Sequence, residues 1–273
     1  MATRFPWFRL SSLLVGFLFL YVPILLLIVY SFNESRLVTV WAGFSPKWYG
    51  ELLRDDAILN AAWVSFRIAA ISATLALILG TMAAVALVRF GRFRGRTLFS
   101  GMISAPLVMP EVITGLSLLL LFVTLEQMIG WPAGRGVMTI IIAHVTFSTA
   151  YVAVIVQSRL ASFDISLEEA ALDLGAHPAK VFFVITLPII APALVAGWLL
   201  SFTLSLDDLV IASFVSGPAS STLPMVIFSS VRLGVSPKIN ALATILVVLV
   251  TIAVVLAARM MRKSGSLAQS AQN

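Results

Sequence analysis

Cysteine is absent from all 273 residues, and only two histidines occur. No disulfide staple, thiol nucleophile or cysteine-ligated zinc can therefore be built. His144 and His177 stand far apart in sequence, and no HExxH helix exists. Charge is also scarce. Only 11% of residues are Asp, Glu, Lys or Arg, against about a quarter in an ordinary soluble domain. The apolar share is 60%, too much for a single core to hide. Most of the surface must face lipid. The net charge of +6 does not indicate nucleic acid, because the basic residues bunch beside hydrophobic runs, as membrane orientation requires.

A helix needs about 20 apolar residues to cross the hydrocarbon core. Six stretches qualify: residues 10–32, 62–88, 98–125, 137–156, 182–206 and 240–258. Bare backbone is not tolerated in lipid, so these are expected to be helices and the chain an all-α polytopic membrane protein. The first run, Leu10 to Tyr30, is too long for a signal-peptide core and lacks a small-residue cleavage site after it, so it reads as a retained span. Arg4, Arg9, the cluster Arg89 to Arg96, Arg159, Lys180, Arg259, Arg262 and Lys263 then fall on one side. Arg36, Lys47, Arg54, Arg135, Arg232 and Lys238 fall on the other, with Arg67 inside the second span. The richer side is the cytoplasmic one, which puts both termini inside.

The expected organisation is one transmembrane domain over residues 1–273, with a core of about 60–260 and a disordered tail at 264–273. In the long outer segment after the first span, Ser45-Pro46 predicts an N-cap and first position of a short helix. Trp41, Trp48 and Tyr49 suit the membrane–water boundary.

Three polar features interrupt the hydrocarbon. The first is the inner loop, residues 157–180. Ser166 can cap a helix whose first turn holds Glu168 and Glu169, where the macrodipole favours acids. Gly175 can end it in the left-handed conformation, and Pro178 can begin another. Such a loop is a docking surface or a solvated loop with no partner.

The second is Glu111, thirteen residues into the third predicted span and so about 20 Å deep. A carboxylate there is a way-station for a cation, or a structural acid paired with Arg67. The third is Asp207-Asp208 at the outer end of the fifth span, approached by Ser201, Thr203 and Ser205 at helical spacing. Those hydroxyls line a wet route or solvate a helix end. Gly91 to Thr97 superficially resembles a phosphate-binding loop but lacks its spacing and lysine, so no ATP site is expected in this chain.

The run Glu169-Ala170-Ala171, Gly175, then Ile185-x-Leu187-Pro188 resembles the EAA loop of the permease subunits of binding-protein-dependent ABC importers. Further stretches extend the resemblance to putrescine/spermidine permeases, the putrescine-type subunit above all. They include Val40 to Phe44, Ala105 to Pro110, Phe202 to Asp208 and Ser213 to Pro218. The resemblance implies a type I importer fold of six spans in a bacterial inner membrane. It further implies a coupling helix built from the seven loop residues, and no catalysis or metal in the chain. The implied partners are a second, homologous permease, two ATPase copies that hold ATP and Mg, and a periplasmic polyamine-binding protein. Glu111, Thr203, Ser205, Asp207 and Asp208 are the candidate pathway residues. Two other classes stay open: a proton-driven carrier using Glu111 and His144, and a serine hydrolase using Ser148 and His144.

Overall fold

A computed structural model describes residues 6–37, 40–234 and 236–252. The expected tail at 264–273 and the end of the sixth span lie outside them, as do Arg4, Arg259, Arg262 and Lys263. Among the described residues the regular elements are all helices, beside one isolated bridge, Asn33 to Phe44. Five helices are long and apolar enough to cross a membrane, and the sixth expected span is described as a helix over Pro237–Ile252.

The chain divides into two compact units, Met1–Leu59 with Ile227–Asn273, and Asn60–Val226. In the first unit, α1 (Pro6–Tyr30) is apolar on every face, and its most hydrophobic stretch is wholly unburied. Asn33 organises the segment that follows. Its side-chain amide donates to the Val40 carbonyl at 2.7 Å, and its Oδ1 accepts the Ala42 N–H at 3.0 Å. α2 (Lys47–Leu52) begins one residue later than the sequence suggested, with Pro46 as its cap position. Trp48 is turned inward: it is buried at 3% exposure, and its indole N–H donates to the Asn33 carbonyl at 2.6 Å. Asp55 caps α3 (Asp56–Arg89) by accepting the N–H groups of Ala57 and Ile58. Lys238, on α12 (Pro237–Ile252), donates to the same carboxylate at 2.8 Å.

The second unit carries the candidate sites. The third predicted span is two helices, α4 (Arg96–Val108) and α5 (Glu111–Ile129). Pro110 disfavours the helical conformation at the residue before it. Met109 accordingly turns extended, and α5 starts afresh after Pro110. Glu111 is therefore in the first turn of a helix rather than in the middle of one, so the third expected span is not unbroken.

α6 (Val137–Ala161) is the most buried of the candidate spans. It packs antiparallel against α9 (Leu187–Asp207), with Gly197 close to Val152 and Ser205 bonded to His144 one turn pair further along. Gly80 of α3 meets Val152 so closely that an added Cβ would stand 2.7 Å from its side chain. Small residues admit such backbone approach where no hydrophobic drive exists between helices in lipid. α10 (Val210–Val215) lies against α5, where Gly115 leaves room for Phe214. α11 (Leu223–Leu233) starts at an N–H donated to Ser65 Oγ at 2.7 Å.

The Lys238 hydrogen bond, helped by the two capping N–H groups and opposed by partial burial, holds the Asp55 carboxyl below its ordinary value. A depressed carboxylate contributes stability above the unfolded value, and that contribution is lost as pH falls through the folded one. Asp55→Asn keeps a capping side chain but removes the charge. The mutant should lie less than about 1 kcal/mol below wild type at pH 7. The gap should close below about pH 4, as read from thermal unfolding in detergent across pH.

Candidate coupling loop and acidic cavity

The inner loop is a helix, a glycine turn and a second helix. α7 (Ser166–Asp173) is started by Asp164, not by Ser166 as expected. Asp164 Oδ1 accepts the Ser166 N–H at 3.0 Å, and bonds to the Ser166 backbone and hydroxyl hold its carboxyl below the ordinary value. A carboxylate outcompetes a hydroxyl for this place because it brings full charge to the positive helix end.

The helix closes in a Schellman motif. Gly175, at φ +83°, donates to Leu172, and Ala176 donates to Ala171. α8 (Pro178–Val181) has Pro178 at its first position, and His177 Nδ1 accepts the Ala179 N–H at 3.3 Å. A π-helical turn, Phe182–Thr186, then leads into α9.

The two neighbouring acids of α7 face opposite ways. Glu168 is turned inward, where its carboxylate meets Arg89 and the Thr186 hydroxyl. Glu169 and Ala170 are exposed, and so are the large apolar side chains Leu167, Leu172 and Leu174, the last at 89%. Ala171, Ile185 and Leu187 are half-buried, and Pro188 is exposed. An acid ringed by exposed leucines on a short rigid helix can seat in a groove of another protein.

The second site is a cavity of about 500 Å³ whose wall includes Glu111, Asp207, Asp208, Tyr151 and Phe147. The break at Met109-Pro110 delivers Glu111 to it. A second break, where Asp208 turns extended after α9, delivers the two aspartates. Their roles divide. Asp207 is exposed. Asp208 is 7% exposed and caps α10, accepting the N–H groups of Ile211 at 3.3 Å and Ala212 at 2.7 Å.

His144 Nε2 stands 3.1 Å from Asp208 Oδ2, and His144 Nδ1 stands 2.6 Å from Ser205 Oγ. These three residues stand in the Ser-His-Asp order of a hydrolase triad, but with the two ring nitrogens exchanged. His144 is wholly buried and Ser205 is 3% exposed, so no substrate carbonyl can reach the hydroxyl. Both ring nitrogens are engaged by these partners, which leaves none for Ser148.

Thr203 is exposed and donates to the Leu199 carbonyl, whereas Ser201 and Ser205 are buried on another face of α9. The hydroxyl stripe read from the sequence is thus two stripes. Glu111 takes part in none of the three ion pairs among the described residues, so Arg67 is not its partner.

Residues 76–264, which hold both sites, match the family model described as binding-protein-dependent transport system inner membrane component. The chain belongs to that family. This transport component is 69% identical to the putrescine transport system permease protein PotI of Escherichia coli K12, over 89% of this chain and 86% of PotI. It is 46% identical to the spermidine/putrescine transport system permease protein PotC of the same strain, over 87% of each. A solved bacterial ABC transporter involved in the import of the acidic polysaccharide alginate shares the fold. Its TM-score is 0.70 at 18% identity, over 96% of this chain and 99% of that one. The importer-permease fold implied by the resemblance is therefore the fold observed.

The Asp164 cap, the π-helical turn, Tyr151, Phe147 and the inward turn of Glu168 were not foreseen. Only a phase count along α7, placing positions 168 and 169 about 100° apart, could have hinted at the last.

At Gly175 an added Cβ would meet nothing within 4 Å, so Gly175→Ala tests backbone conformation alone. Left-handed alanine costs about 1–2 kcal/mol. The Ala176 amide should then exchange hydrogen about tenfold faster while the spans keep their protection. Unchanged exchange would show that the turn tolerates a side chain.

Proposed function

We propose that the chain is the permease subunit of an ATP-driven importer of polyamines, putrescine above all. The 69% identity to PotI, sustained over nearly nine-tenths of the chain, carries the reading. It acts as a single permease domain in the bacterial inner membrane with both termini in the cytoplasm. A second, homologous permease supplies the other half of the pathway, a periplasmic binding protein delivers the cargo, and two ATPase copies bind ATP and Mg.

In this reading Glu111 and Asp207 offer carboxylates to the ammonium groups of a diamine. The aromatic rings of Tyr151 and Phe147 in the same wall suit a desolvated cation. Asp208 and Ser205, bonded through His144, hold the wall in shape, and exposed Thr203 extends the route on the Asp207 face of α9. A dication entering a cell at −100 mV gains about 4.6 kcal/mol, so ATP serves direction and steep accumulation rather than entry alone.

The ATPase docks on α7. Glu169, Ala170, Ala171 and Gly175 form the seat, and Ile185, Leu187 and Pro188 join it to α9. The exposed Leu172 and Leu174 support this, since a solvent-facing loop has no other use for them.

Two variants of the reconstituted complex test the reading. Glu169→Lys inverts the charge of the seat and should lower ATPase co-purification and uptake about tenfold or more with the chain still inserted. Glu111→Gln together with Asp207→Asn should raise the half-saturating putrescine concentration about tenfold or more with assembly intact. Uptake at normal rate and affinity in the second variant would remove the acids from the pathway. Competition by another small cation in place of putrescine would reassign the cargo while keeping the permease.

A further inference from the structure

Glu168 ties the loop helix to two long helices at once. Arg89, the last residue of α3, donates from Nη2 to Glu168 Oε1 at 3.1 Å. Its Nε also stands 3.1 Å from Oε2, close enough for ion pairing though not aligned as a second hydrogen bond. The Thr186 hydroxyl donates to the same Oε1 at 2.6 Å. Thr186 is 3% exposed and ends the π-helical turn that opens directly into α9. The Arg89 guanidinium also lies over the Phe163 ring, 5.5 Å from its centre, on the segment joining α6 to α7.

The side chains of Arg89 and Glu168 keep only 18% and 14% of their exposure. A pair so far withdrawn from water is screened little and holds its geometry far better than a surface pair. The π turn inserts one residue out of helical phase, a feature frequent at functional sites, and here it sets Thr186 at the carboxylate.

We propose that Glu168 is the positioning residue through which displacement of α7 reaches α3 and α9. Glu169 faces the motor and Glu168 faces the machine. α7 is only eight residues long and is flanked by a capped loop and a glycine turn. Without a lateral tie, a push on such a segment is absorbed by those two flexible joints. With the tie, α7 is fastened to the inner ends of two spans and must carry them along. The inference rests on the docking reading of this loop, and its signature differs from loss of docking. Glu168 substitutions leave the ATPase bound and working but disconnect it from uptake.

The test uses the complete complex in proteoliposomes, with binding protein and putrescine. ATPase co-purification, ATP hydrolysis and uptake are read for each variant. Glu168→Ala should keep co-purification and hydrolysis within about twofold of wild type, while uptake per ATP falls about tenfold. Thr186→Val, which removes one of the bonds, should lower uptake per ATP about threefold. Reversing the pair in Arg89→Glu with Glu168→Arg should recover much of what Arg89→Glu alone loses.

Unchanged uptake per ATP in both Glu168→Ala and Thr186→Val would overturn the proposal, whether or not the reversed pair assembles. Loss of ATPase co-purification in Glu168→Ala would also overturn it, because the residue would then belong to the docking seat. Failure of the ATPase to co-purify with the wild-type chain would instead defeat the docking reading itself, and this inference with it.

Discussion

Hydrocarbon offers the peptide backbone no hydrogen-bond partner, and every other feature of this chain follows from that. A segment in lipid must be helical, and it can stop being helical only where something else satisfies the freed groups. The described chain stops in three informative places. At Met109-Pro110 the proline has no N–H to satisfy. At Asp208 the carboxylate itself takes the N–H groups of the next helix. At Gly175 the Schellman turn takes the last carbonyls of α7. The first two breaks deliver Glu111, Asp207 and Asp208 to one cavity, and the third shapes the loop that holds α7.

Adjacent acids are used twice in the same manner. In Glu168-Glu169 and in Asp207-Asp208, one member is turned inward and bonded while its neighbour is exposed. Within α7 the helix rotates about 100° per residue, which parts Glu168 from Glu169, and at the end of α9 the extended turn at Asp208 parts it from Asp207. The inward acid fixes local geometry. The outward acid keeps its charge exposed. A pair of like charges, which reads in sequence as one patch, is in each case a bonded support and an exposed charge side by side.

The apolar spans and the helix–glycine–helix form of the loop were legible because each rests on composition or on one residue's conformational preference. Gly175 and Pro178 fall where their backbone preferences require. What was not legible depends on competition or on distance in sequence. Ser166 and Asp164 both suit a helix start, and only the folded loop decides for the carboxylate. The run 98–125 holds no ionisable residue but Glu111, so its length spoke for one span until the constraint before Pro110 divided it. His144 meets Ser205 and Asp208 across more than sixty residues, and Arg89 meets Glu168 across nearly eighty. No local pattern reports such pairings. The burial of Trp48 was not legible for the same reason, since its acceptor is a backbone carbonyl fifteen residues away.

The central claim is that this chain moves cations only when a separate motor drives it through the inner loop. The most direct measurement is putrescine uptake into sealed vesicles holding the complete complex, compared with vesicles holding this chain and its partner permease alone. The account predicts accumulation that requires ATP inside and disappears when the ATPase is omitted. Accumulation without nucleotide, abolished by collapsing a proton gradient, would contradict it.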